Sequence, residues 1–159
     1  MLGFNDWVNE SETQEERLLR VRKTREEIFM RQANSGVSRR RRDAASSPFC
    51  TEEGLRILMN DPFRSVRRAV AYNKRTPTSV LDDMVHDPEI HAAIAPHHNA
   101  SPEALRELAK SDNPQIISMV AGNRNTPIDL LLDLLDYPDG TTRGNVKRNR
   151  TYIAWKTNN

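Results

Sequence analysis

DPFRSVRRAVAYNKRTPTSVLDDMVHDP, residues 61–88, opens and closes on Asp-Pro and carries a second turn signal, Asn73 to Pro77, in its middle. The pattern extends outward in both directions. Thr51, Thr76, Ser101, Thr126 and Thr151 fall at a constant step of 25 residues, and prolines 77, 102 and 127 follow three of them. Leu55, Val80, Leu105 and Leu130 keep the same step four residues further on. A fixed period of this length predicts a solenoid, in which each unit buries its apolar face only against its neighbours.

Each unit opens on a small hydroxylated N-cap residue, often with proline at the first helical position. Acids follow in the first turn (Glu52, Glu53, Glu103, Asp129), and apolar residues then recur at helical spacing, as in Leu55, Leu58 and Met59 or Leu105, Leu108 and Ala109. An Asp-Pro, Asn-Pro or Tyr-Pro dipeptide ends each first helix. The second halves (SVRRAVA, IHAAIA, IISMVA) are short and rich in small residues, which predicts a short helix or 3₁₀ turn. Asn73, Asn99, Asn123, Asn125 and Asn149 mark polar corners and are expected to satisfy backbone groups there. The stretch 139–144, with two glycines and two threonines, predicts a weak second helix in the last full unit. Tyr152 and Trp155 are expected to cap the open end.

Residues 1–12, with Phe4 and Trp7, read as a tail that is either loose or docked on the first unit. Residues 13–37 predict one long amphipathic helix with its C-terminal stop. It begins at a capping box (Thr13 with Glu16, or Ser11 with Gln14), and Leu18, Val21, Ile28 and Phe29 form its apolar stripe. The step of 25 then places Arg42 under Arg67 and Met30 under Leu55. Residues 38–159 thus form the array, with weak first and last units.

Val66 to Asn73 (VRRAVAYN), followed by Thr76-Pro77 and an apolar helix ending at Asp87-Pro88, resembles the leucine-rich repeat variant family. The resemblance covers roughly 38–155 and is strongest over 51–135. It implies an all-α, right-handed superhelix of about five units alternating α and 3₁₀ helices, similar in style to HEAT and armadillo arrays. It implies no activity, because such folds are scaffolds. The cysteine-rich iron–sulfur segment of some members does not carry over, because Cys50 is the only cysteine. One cysteine also excludes an intramolecular disulfide.

The chain has 159 residues and a net charge of only +2, but its basic residues are clustered. Ten Arg or Lys lie between Arg17 and Arg42, and five follow Asp139 with no acid among them. No secretory leader or membrane-length apolar run is evident, so a cytoplasmic protein without membrane contact is expected. The main candidate binding residues are Arg39, Arg40, Arg41, Arg42, Arg64, Arg67, Arg68, Lys74 and Arg75. A second basic patch comprises Arg143, Lys147, Arg148 and Arg150. The alternative reading is a solvated face whose arginines pair with Asp61, Asp82, Asp83 or Asp87. His86, His91, His97 and His98 cluster in sequence, but no cysteine joins them and no metal or other cofactor is expected.

No catalytic residues emerge from the spacing. The expected function is non-catalytic: a rigid surface for a protein partner, in an adaptor, regulator or inhibitor whose size and style suit a phage or mobile element. The alternative is nucleic-acid binding through the basic ridge and basic C-terminus. A helical-repeat enzyme acting on DNA is the third reading.

Overall fold

In the computed structural model, which describes residues 12–158, every regular element is helical. The expected tail with Phe4 and Trp7, and the alternative cap at Ser11, lie outside the described residues except for Glu12. Helix α1 (Gln14–Ala33) starts at the Thr13–Glu16 capping box, in which each side chain bonds the other residue's backbone N–H. Its apolar stripe is only partly used. Phe29 and Ala33 are buried, whereas Leu18, Val21 and Ile28 remain exposed.

The remaining helices come in pairs. The first members are α3 (Glu52–Leu58), α5 (Thr78–Met84), α7 (Pro102–Leu108) and α9 (Ile128–Asp133), the last extended by a 3₁₀ turn over Leu134–Asp136. The second members are α2 (Ser38–Ala45), α4 (Arg64–Tyr72), α6 (His91–Ile94), α8 (Pro114–Gly122) and α10 (Gly140–Arg148). A terminal helix, α11 (Arg150–Asn158), packs on α9. Second members pack on one another in series, α2 on α4, α4 on α6, α6 on α8 and α8 on α10.

Three expectations change. The second members are short α-helices, one of the two forms the sequence predicts, and not the 3₁₀ helices that the resemblance implies; a 3₁₀ turn over Pro88–Ile90 leads into α6. The stretch 139–144 makes a sound helix. Asp139 caps it by accepting from the Thr142 N–H at 2.7 Å, and packing of α10 on α8 outweighs the poor propensity. The constant step of 25 is not the structural register. First helices are capped at Thr51, Pro77, Ser101 and Pro127, which are steps of 26, 24 and 26. The connection after α5 is two residues shorter than its counterparts, so the threonine ladder alternates between the cap and the residue before it.

That shift changes the job of two threonines. Thr51 and Ser101 cap helices, accepting from Gly54 and Ala104 N–H. Thr76 and Thr126 lie one residue outside, are fully buried, and donate at 2.6 Å to the carbonyls of Val70 and Val120. It also realigns the core. Phe29, Leu55, Leu81, Leu105 and Leu131 occupy equivalent positions, and each is 0–2 % exposed. Phe29, the largest of the five, requires a glycine beneath it: a β-carbon at Gly54 would lie 2.0 Å from its ring.

A hydrogen-bonded ladder ties the pairs together. Asn73 Nδ2 donates to Ala45 and Ser47 carbonyls, Asn123 to Ala95 and His97, and Asn149 to Ala121 and Asn123. Each Oδ1 accepts the N–H two residues on, from Arg75, Asn125 and Thr151. The expected Asn99 is not the missing rung. His97 fills it, with Nε2 at 3.0 Å from the Asn73 carbonyl and Nδ1 accepting the Asn99 N–H. The imidazole reproduces both functions of the amide, which fixes the neutral tautomer with its proton on Nε2. Asn99 and Asn125 form a parallel, outer set of bonds to the preceding corner.

Candidate functional site

The arginines of α2 and α4 divide by one position in the register. Arg41 and Arg67 are equivalent, and both turn inward. Arg41 forks onto the buried Asp61 and donates to the Ser35 carbonyl. Arg67 bonds Asp87 and Glu89, both at 2.7 Å, and the Asp61 carbonyl. Burial alone would raise the carboxyls of Asp61 and Asp87. The facing guanidinium, with a backbone N–H from Phe63 or Glu89, outweighs it and holds both below the usual carboxylate range. His91 and Arg143 occupy the same position in later pairs and also reach the carbonyl six residues back, Val85 and Tyr137. These side chains close the turn between paired helices.

Arg42 and Arg68, one residue further on, are rotated about 100° around the helix and face outward. With Arg64, Lys74 and Arg75 they line a groove of about 680 Å³ between α2 and α4. Ser46, Pro48, Ser65, Ala69, Tyr72 and Asn73 complete the lining, which contains no carboxylate. The Arg68 guanidinium lies 5.2 Å from the centre of the Tyr72 ring, a cation–π contact that orients it along the groove. Arg64 reaches the Glu89 carbonyl. Arg42 has a partial counter-charge in the exposed Asp43, at 3.1 Å.

The predicted site residues therefore separate. Arg42, Arg64, Arg68, Lys74 and Arg75 come together. Arg41 and Arg67 are structural, as the solvated-face alternative anticipated for Asp61 and Asp87, although the other proposed acids, Asp82 and Asp83, do not join them. Arg39 and Arg40 are exposed on α2 outside the groove, Arg40 beside α1. In the second patch Arg143 is structural, Arg148 donates to Asn145, and Lys147 and Arg150 are exposed.

Two features escaped the sequence. Tyr72 belongs to the groove. A column of exposed basic side chains also follows the buried rungs, one in each corner: Lys74 after Asn73, His98 after His97, Arg124 after Asn123 and Arg150 after Asn149. A second groove of about 380 Å³, lined by His98, Ser118, Arg124 and Asn145 among others, repeats the register of the first further along the chain. The spacing of 24, 26 and 26 was the available signal, hidden by the assumed 25.

Charge is segregated between the two helix sets. First helices with their turns (51–60, 77–86, 101–110, 127–136) carry nine Asp or Glu against three Arg or Lys. The rest of 37–150 carries fourteen Arg or Lys against six Asp or Glu. Cys50 is buried, which raises its thiol pKa, and it accepts a contact from Asn73. His91 and His97 bond carbonyls, and among the described residues no group of three His, Cys, Asp or Glu could hold a metal ion. Among those residues, too, no helix is long and apolar enough to cross a membrane. No known family, curated protein or solved structure matches the chain.

Proposed function

We propose that the chain is a non-catalytic binding protein. Its helix pairs stack as a right-handed solenoid of about five units in the manner of the leucine-rich repeat variant, and the basic groove between α2 and α4 is the surface it offers to an acidic partner. The observation that carries this reading is the groove itself: five cationic side chains, three on two packed helices and two in the corner that follows α4, with no carboxylate in the lining. An isolated surface charge has little effect, but several cations held on one rigid face produce a field that attracts a polyanion.

The chemistry elsewhere supports binding over catalysis. The Asp61 carboxylate, the one acid buried among the described residues, is taken up by Arg41, and the Cys50 thiol is raised and enclosed. An adaptor, regulator or inhibitor that docks on an acidic protein surface fits this description. Nucleic acid fits the same groove and is the acidic partner that its composition, cations with one aromatic, favours.

Retention on immobilised heparin tests the reading. The full chain should elute late at low ionic strength, and the triple variant Arg42→Ala, Arg64→Ala, Arg68→Ala should elute clearly earlier with an unchanged circular dichroism spectrum. Equal elution of the two proteins would remove the groove as the binding surface.

A further inference from the structure

The column of basic side chains after the rungs gives the groove a direction. We propose that this face tracks the phosphodiester backbone of a duplex nucleic acid, with Lys74 in the groove and Arg124 and Arg150 carrying the contact beyond it, reading charge rather than base sequence. The proposal rests on the groove being the binding surface.

Three observations carry it. The first is the periodic placement of the basic side chains, with Lys or Arg at the first, third and fourth of the four corners. Each basic residue directly follows a buried rung whose side chain is bonded to backbone carbonyls of the preceding corner. The backbone that carries the column is therefore held by the ladder and needs little ordering on binding. Stacked helices lie roughly 8–10 Å apart, so four corners span roughly 25–30 Å. A compact anion would use one corner. An extended chain with a charge about every 1.7 Å of its axis uses them all.

The second is the scarcity of large exposed apolar side chains on this face. Protein interfaces bury a hydrophobic core inside a polar rim. Of the exposed large hydrophobic side chains among the described residues, Tyr72 alone lines either groove. The others lie on α1, α3, α11 and the connections.

The third concerns what could read or stack on bases. Single strands are held on series of aromatic rings, whereas among the described residues the two grooves hold only Tyr72, with Arg68 over it, and His98, stacked on His97. Base edges are read by side-chain amides and guanidinium forks. The rung amides on this face are already committed to carbonyls, and Asn145 donates to Ser118. What remains are the exposed guanidinium and ammonium groups, whose placement in a column suits phosphate contact, which positions without specifying.

The test is a fluorescence-anisotropy titration of the full chain against a short labelled DNA duplex, the matching RNA duplex, the single strand and labelled poly-L-glutamate, each over a range of salt. Four proteins are compared: wild type, the groove triple variant, Arg124→Ala/Arg150→Ala and Arg124→Lys/Arg150→Lys. The proposal expects duplex binding that weakens steeply with salt. The groove variant should lose it, the corner Ala variant should flatten the salt slope by about two, and the Lys variant should restore it. Preference between the DNA and RNA duplexes identifies which backbone is used. Binding lost in the groove variant but unchanged in the corner Ala variant would overturn the tracking proposal and leave the groove standing. Poly-L-glutamate or single strand bound as tightly as duplex would overturn the duplex assignment. No binding to any polyanion at low salt would overturn both this proposal and the reading beneath it.

Discussion

In the four corners that follow α4, α6, α8 and α10, two consecutive residues point opposite ways. Asn73, His97, Asn123 and Asn149 turn inward and are buried; Lys74, His98, Arg124 and Arg150 turn outward and are exposed. The same division separates neighbours on the second helices, where Arg41 and Arg67 are bound to carboxylates and carbonyls and Arg42 and Arg68 line an open groove. Residue type does not separate the two regions, since arginine serves both. One step along the backbone does. The inward set holds the pairs in register and the outward set displays charge, so substitutions in the two sets should have different consequences.

The largest effect belongs to the inward region. Leu105, fully buried in the leucine column, should lose roughly 2–5 kcal/mol on truncation to alanine, measured by urea unfolding. A change near zero would break the register on which the comparison stands. Asn123→Ala comes next. It leaves the carbonyls of Ala95 and His97 and the N–H of Asn125 without their partner in a buried corner, and should cost about 1–3 kcal/mol. Its neighbour Arg124→Ala should leave the unfolding midpoint unchanged.

His97 sharpens the comparison through pH. Burial lowers its pKa below the ordinary 6.5, and neighbouring His98 adds to this, against the Asn73 carbonyl, which raises it. The unfolded chain therefore takes up this proton more readily than the folded one. Stability from this rung is fully present above about pH 6.5 and declines as pH falls through the folded value. A proton on Nδ1 would also face the Asn99 N–H it now accepts. Thermal melts across this range should show the decline in wild type and a smaller one in His97→Asn, which restores the amide found in the other rungs. An identical pH profile in the two proteins would remove His97 from the ladder.

Much of the fold was legible because its signals are local. The Thr13–Glu16 box, the Ser101-Pro102 cap and the apolar faces of α3 and α7 follow from spacing alone. The register was not, because one connection two residues short makes steps of 26 and 24 average to 25. That single-residue error assigned Arg42 rather than Arg67's true counterpart, Arg41, and so exchanged an outward arginine for an inward one. His97 stayed hidden because an imidazole and an amide share a donor–acceptor geometry that no composition pattern encodes. For α10, packing on α8 and the Asp139 cap overrode two glycines. At the candidate site the sequence named every cation of the groove but could not distinguish them from Arg41 and Arg67, whose partners lie 20 residues away.

The central claim, that adjacent arginines on one helix do different work, is tested most directly by comparing Arg67→Ala with Arg68→Ala in two assays, thermal melting and duplex titration at low salt. Arg67→Ala should lower the melting temperature by several degrees, because it strands Asp87 and opens the turn, with binding retained while the protein is folded. Arg68→Ala should melt like wild type and bind more weakly, with a flatter salt dependence. The opposite assignment, or two variants that behave alike in both assays, would contradict the account.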